Sequence, residues 1–318
     1  MSLDDRLDAA YRAARMYYDE GLTMESIAGS LDVSRSTVSR LLRDARSEGL
    51  VRISLHQPGG TSDDVAARLA DRFGVRAVVV PAPAGTTEAR RLRAVAAAAA
   101  DELEGMIEPG MTVGLAWGTT VAAVVGELRP RPRPGLRVVQ LNGAITTEGS
   151  GLTYVSTVLG RAAAMWDGTV VQFPVPAFFD YAATREAMWR ERSVRRVLDL
   201  HSECSLAVFG VGAFDAEVPS LAYTANYLTD EDFASLHADG AVGDVCTVFL
   251  RADGSWDDIG MNARTSGPDP ERLATIPRRL LIAAGARKAV PLRAALVAGV
   301  ATDLVVDEVT AASVLALD

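Results

Sequence analysis

Apolar residues recur at helical spacing through the first fifty positions, then give way to short apolar runs separated by longer helical stretches. Near the start, Leu7, Ala10, Tyr11, Ala14, Tyr17 and Tyr18 make an apolar stripe expected to pack behind the helices that follow. Thr23 is placed to cap a short helix whose apolar face is Ile27, Ala28 and Leu31. Ser34 is placed to cap a second, with Val38, Leu41, Leu42 and Ala45 inward. A small residue at Ala28, a turn at Asp32 and apolar Val33, Val38 and Leu41 fit a helix-turn-helix corner. Gly49–Leu55 alternates as a strand does and fits a wing beside it.

His56–Ser62 has the composition of a linker. From residue 63 onward, strands are predicted at Val75–Val80, Thr112–Ala116, Leu136–Leu141, Thr169–Phe173, Ser205–Phe209, Val245–Leu250, Arg279–Ala283 and Asp303–Val306. Helices are predicted at Thr87–Met106, Thr120–Leu128, Gly151–Met165, Arg287–Ala298 and Asp307–Leu315. Alternating β and α segments imply an α/β fold: a mainly parallel, doubly wound sheet with helices on both faces. The domains expected are therefore 1–55, a 56–62 linker and 63–318. Arg129–Gly135 alternates Arg with Pro and is expected as an exposed loop.

Charge sharpens the reading of the first domain. The 318 residues carry a net −9, which argues against coating nucleic acid without specificity. Within Ser34–Arg52, however, five arginines face only Asp44 and Glu48. Ser34, Arg35, Ser36, Thr37, Ser39, Arg40 and Arg43 lie on the second helix away from its apolar face. Short hydroxyl donors and guanidinium forks suit phosphates and guanine edges, so these seven are the candidate DNA contacts. No apolar run reaches the ~18 residues of a membrane helix, and no signal peptide is evident, so a cytoplasmic protein without membrane contact is expected. Two cysteines and three histidines without ligand spacing give no metal site, and no cofactor is expected.

In the second domain, Trp117-Gly118-Thr119-Thr120 follows a strand and opens a helix, where backbone N–H groups and hydroxyls can meet an anion. The same residues also serve an ordinary strand-to-helix turn, as Asn142-Gly143 and Gly210-Val-Gly212 serve ordinary turns. All but one of the 32 basic residues are arginines, and the one lysine, Lys288, follows an apolar strand at the start of a helix. A cation there is poorly placed for the helix dipole unless an anion lies between, which makes Lys288 a candidate phosphate contact. Asp244 is a candidate for sugar hydroxyls or a turn cap, Asp307 with Thr310 a helix cap, and Trp117 and Phe178 candidate pocket walls.

The segments Arg15–Thr23 and Ile27–Leu42 resemble the DNA-binding end of the SorC/DeoR family of bacterial transcriptional regulators. Gly114–Thr120, Leu141–Gly143, Gly210–Gly212, Gly240–Asp244, Ala284–Lys288 and Asp303–Glu308 are similar to its effector domain. The resemblance covers nearly the whole chain. It departs at Ala286, Ala144 and Arg251, where the family carries Gly, Gly and often an acid. It implies a winged helix-turn-helix domain joined to an α/β domain like that of sugar-phosphate isomerases. It also implies operator DNA and a phosphorylated sugar or polyol as partners, and a homotetramer. Effector contacts are then expected at Trp117, Gly118, Thr119, Thr120, Asn142, Gly143, Gly212, Asp244 and Lys288, with no catalytic residue. Some relatives are thought to hold an aldehyde sugar as an imine on lysine; here only Lys288 is available, and non-covalent binding is expected. The competing expectation is an isomerase- or deaminase-like enzyme carrying a DNA-binding domain. Its acid/base set would have to come from Lys288 with Asp244, Asp303 or Asp307.

Overall fold

A computed structural model describes residues 3–48, 50–51, 61–83, 85–144, 151–217, 220–224 and 227–317. The chain divides into two compact units, within 1–58 and within 59–318.

The first unit is helical: α1 (Leu3–Tyr18), α2 (Met24–Leu31) and α3 (Arg35–Ser47). Both expected caps form. Thr23 Oγ1 accepts from Ser26 N–H at 3.2 Å, and Ser34 Oγ accepts from Thr37 N–H at 3.1 Å. Between the helices Asp32 adopts φ 53°, ψ 49°, the left-handed turn that closes α2. The core is Ala10, Ala13, Ala14, Ile27, Val38, Leu41, Leu42 and Ala45. The α1 stripe is thus narrower than the sequence suggested. Alanines make the contact, because small side chains let helices approach closely, while Tyr11, Tyr17 and Tyr18 stay exposed. The expected wing and most of the linker lie outside the described residues. Thr61 and Ser62, counted with the linker, belong instead to the first turn of a helix, where Asp63 and Asp64 favour its N-terminus.

The second unit begins with that helix, α4 (Thr61–Phe73), followed by β1 (Arg76–Val80), α5 (Glu88–Met106), β2 (Thr112–Leu115), α6 (Thr119–Glu127), β3 (Arg137–Gln140), α7 (Gly151–Trp166) and β4 (Thr169–Val171). Two helices, α8 (Ala182–Arg190) and α9 (Arg192–Ser202), lead to β5 (Leu206–Gly210) and β6 (Gly212–Ala213). The single turn α10 (Leu221–Thr224) and α11 (Asp230–Ala238) precede the hairpin β7 (Ala241–Val245) and β8 (Val248–Arg251). The chain closes with α12 (Pro270–Ala274), β9 (Arg278–Ala283), α13 (Ala289–Val297), β10 (Asp303–Asp307) and α14 (Glu308–Leu315).

Among the described residues the main sheet runs β1-β10-β9-β5-β2-β3-β4, every pair parallel. Its strands serve two cores by alternation. Leu280, Ile282 and Val305 point to the side covered by α5, α6 and α7. Leu281, Ala283, Leu304 and Val306 point to the side covered by α4, α9, α12, α13 and α14. The sheet is therefore doubly wound, as the alternating pattern implied. From β2 the chain adds β3 and β4 on one side, then returns to lay β5, β9 and β10 on the other. Strand order reverses between β2 and β5, and the crevice beyond their carboxyl ends is where such sheets bind ligands.

One expectation fails here. Val245–Leu250 is not one strand: it runs from the last residue of β7 through the turn at Cys246 and Thr247 into β8 of an antiparallel hairpin. Cys246 and Thr247 both have positive φ (51° and 72°), a turn conformation that their side chains gave no reason to expect. Arg129–Gly135 is a loop, but its arginines are committed: Arg131 lies 3.6 Å from Glu104, and Arg133 Nε donates to the Ile107 carbonyl at 3.0 Å.

Candidate functional site

On α3 the buried Val38, Leu41, Leu42 and Ala45 define one face, and Ser36, Ser39, Arg40 and Arg43 recur on the other. Ser34, Arg35, Ser36, Ser39, Arg40 and Arg43 are exposed; Thr37 is half-buried, its hydroxyl 2.9 Å from Ser34 Oγ. No carboxylate among the described residues lies within ion-pair distance of Arg35, Arg40 or Arg43. The helix therefore presents unneutralised guanidinium groups and short donors on one exposed face, an arrangement suited to a DNA groove.

In the second unit, the carboxyl ends of β2 and β5 border a cavity of about 50 Å³. Trp117, Gly118, Thr119, Thr120, Asn142, Gly212, Asp244 and Lys288 all line it, although they come from sequence positions up to 171 residues apart. Gly118, beyond the end of β2, has φ 156° and ψ 168°, a region essentially reserved for glycine, and so turns the backbone into the N-terminus of α6. Thr119 and Thr120 then open that helix, whose N-terminal dipole favours an anion.

Lys288 closes a 3-10 turn (Ala286–Lys288) directly before α13. It is 9% exposed, and Nζ donates to Thr120 Oγ1 at 3.3 Å, which places the ammonium over the α6 N-terminus. Burial lowers its pKa from the ordinary lysine value, opposed by the charges of Asp244 and Glu88. No carboxylate among the described residues approaches within ion-pair distance. A buried cation and a helix N-terminus thus converge on one end of the cavity, both positive in potential.

Asp244, on β7, also lines the cavity. Its Oδ2 accepts the Thr247 N–H at 2.8 Å and its Oδ1 accepts the Tyr223 hydroxyl. Burial raises its pKa, while those two hydrogen bonds and Lys288 pull it down. Trp117 is the wall. Its indole N–H donates to the carbonyls of Asn142 (3.1 Å) and Gly143 (2.8 Å), which fixes the ring against the turn after β3.

Two proposed residues take other roles. Gly143 does not line the cavity. It packs against the carbonyls of Val175 and Pro176, where a Cβ has no room, and its N–H donates to Ser266 Oγ at 2.9 Å. Phe178 stacks on Phe249 at 5.9 Å, away from the cavity lining. Of the acid/base partners weighed for an enzyme, Asp244 shares the cavity with Lys288, whereas Asp303 and Asp307 do not line it. Asp303 lies at the amino end of β10, bonded to Arg76 Nε at 2.7 Å. Asp307 caps α14 through the Thr310 N–H and also accepts from the Gly285 N–H at 3.0 Å. Arg251, at a departure from the family pattern, braces loops through the carbonyls of Asp239 and Asp257, both at 2.7 Å.

Tyr223, Ser220, Ala222, Cys246 and Thr247 join the cavity region without having been anticipated. Only the Cys246–Thr247 turn had a sequence trace, the Gly240–Asp244 segment just before it. No cluster of metal-ligating side chains occurs among the described residues, and no described helix is long and apolar enough to cross a membrane.

Residues 58–316 match the family described as "Putative sugar-binding domain", and residues 14–48 match region 4 of sigma-70. The deoxyribonucleoside regulator of Bacillus subtilis is 30% identical over 312 residues, covering 96% of this chain and 97% of the relative. The full-length sorbitol operon regulator SorC of Klebsiella pneumoniae superposes with a TM-score of 0.83 at 25% identity, covering 99% of this chain and all of that one. A domain of a possible sugar-binding transcriptional regulator from Arthrobacter aurescens is 41% identical with a TM-score of 0.76, covering 82% of this chain and all of that domain.

Proposed function

The chain belongs to the SorC/DeoR family of sugar-binding transcriptional regulators, and we propose that a phosphorylated sugar or polyol in the β2–β5 crevice sets the affinity of α3 for operator DNA. The observation that carries this reading is the polarity of the cavity. It offers an ammonium, two threonines and a helix N-terminus, and with them a buried carboxylate. The first group fits a phosphate and the carboxylate accepts hydrogen bonds from hydroxyls, so the two together select a ligand carrying both. Within this reading Trp117, Gly118, Thr119, Thr120 and Lys288 hold the phosphate side, and Asn142, Gly212 and Asp244 the sugar side, with Gly143 supporting Trp117 from behind.

Binding at Lys288 is non-covalent in this proposal. Residues 1–55 are the DNA-binding domain and 63–318 the effector domain, working as a homotetramer in the cytoplasm; the family resemblance supports the assembly. Effector and operator then prefer different states of the assembly, and the coupling between them is reciprocal. The test is thermal stabilisation by a panel of pentose, hexose and polyol phosphates, with Lys288→Ala as control. Stabilisation of the wild type that the variant loses supports the reading; equal stabilisation of both overturns it. Steady turnover of any sugar phosphate would instead favour an enzyme.

A further inference from the structure

We propose that Tyr223 is a latch on this cavity: its phenol occupies Asp244 in place of a ligand hydroxyl, and an effector must displace it to enter. The inference rests on the effector-site reading above. Its starting point is size. Pockets that take small molecules typically run from about 300 Å³ upward, whereas this cavity is about 50 Å³. A sugar phosphate seated wholly within it therefore requires movement of some wall.

Three of the walls are built to stay. The β2–α6 turn belongs to the main sheet, Trp117 is tied by its indole N–H to two carbonyls, and Lys288 is fixed between β9 and α13. Another wall is a roof formed by Ser220 and by Ala222 of the single turn α10. On this turn Tyr223 reaches the floor through its hydroxyl on Asp244 Oδ1. Gly212 makes the pairing possible, since a Cβ there would run into both Asp244 Oδ1 and the Tyr223 hydroxyl. Away from the hydroxyl, the ring rests on Phe214 at 5.1 Å and Phe233 at 6.3 Å, an apolar seat without directional bonds.

A phenol donating to a carboxylate has the same hydrogen-bonding chemistry as a sugar hydroxyl donating to it. Exchange of one for the other leaves Asp244 satisfied, so entry costs the roof its tether without leaving a buried charge unpaired. A ligand bearing a phosphate alone has nothing to offer Asp244 and leaves the latch closed. The latch thus selects for a hydroxyl at a set distance from the phosphate.

Tyr223→Phe keeps the ring and removes only the hydroxyl. Cys246 lines the cavity and is buried, so its alkylation by iodoacetamide in a Cys204→Ser background reports opening without any ligand. Loss of a hydrogen bond to a charged acceptor predicts labelling about 10- to 100-fold faster in Tyr223→Phe. Tyr223→Leu removes the same hydroxyl while leaving the Asp244 charge beside Cys246 in place, which keeps the test decisive should Tyr223→Phe fold poorly. Ribose 5-phosphate, fructose 6-phosphate and inorganic phosphate are then titrated calorimetrically. A sugar phosphate should bind Tyr223→Phe about tenfold or more tighter than wild type, with inorganic phosphate unchanged. Unchanged or slower labelling in both variants overturns the latch, as does weaker sugar-phosphate binding by Tyr223→Phe. Faster labelling with no binding of any probe upholds the latch and overturns the effector reading instead.

Discussion

Replacing Lys288 by Ala removes the one ammonium in the chain from a buried position 3.3 Å from Thr120 Oγ1. A hydrogen bond to a charged partner contributes about 1.5–3 kcal/mol, so the loss should weaken a phosphorylated ligand about 10- to 150-fold. Ligand present at about 100 times its dissociation constant stabilises the wild type by about 2.7 kcal/mol. At the same concentration a variant about 30-fold weaker gains about 0.9 kcal/mol. With about 2–4 °C per kcal/mol for a chain of this size, the ligand-induced shift falls from about 5–11 °C to about 2–4 °C. Differential scanning fluorimetry with the sugar-phosphate panel reads this directly. A Lys288→Ala protein that keeps the full shift would refute the assignment of the phosphate end, whatever its melting temperature without ligand.

Other consequences follow from single contacts. Ser34→Ala removes the N-cap of α3 and should cost the first unit about 1 kcal/mol, read by thermal unfolding followed by circular dichroism; no change would mean the cap is dispensable. Arg40→Ala and Arg43→Ala should each weaken DNA binding and, where the arginine meets a phosphate, lower the salt slope by about 0.9, read by anisotropy across salt concentrations. Trp117→Phe leaves the Asn142 and Gly143 carbonyls without their indole donor and should cost about 1–3 kcal/mol in thermal stability. Burial lowers the pKa of His201 to about 4. Its neutral form is the folded one, so stability holds above the unfolded value near 6.5 and declines as pH falls toward 4. The loss at pH 5 is about 2 kcal/mol, and His201→Gln should flatten that part of a melting-temperature profile; an unchanged profile would show that other groups control it.

Features set by neighbouring residues were legible in the sequence. Thr23 and Ser34 are caps because the side chain and the N–H it accepts are three residues apart. Buried parallel strands such as Leu280–Ala284 announce themselves as unbroken apolar runs. The Val245–Leu250 run looked the same, yet Cys246 and Thr247 fold it back into a hairpin through positive φ, a conformation set by tertiary contacts rather than by side-chain type. The short helices α8 to α12 were not foreseen, since four to eleven residues carry little periodicity. Trp117, Thr120 and Lys288 stood out because each follows a strand at a chain turn, and parallel strands gather such turns along one edge. Tyr223 did not, because only the fold brings it to Asp244. Gly143 marks the opposite error: a glycine in a family motif whose place is to let two backbones meet.

The central claim is a coupling between the crevice and α3, and equilibrium binding of operator DNA measures it. A duplex selected for tight binding is titrated by anisotropy with and without a sugar phosphate that stabilises the wild type. The ligand should change DNA affinity severalfold, DNA should change ligand affinity by the same factor, and Lys288→Ala should abolish both changes. DNA affinity that is identical with the crevice empty and saturated would contradict the coupling.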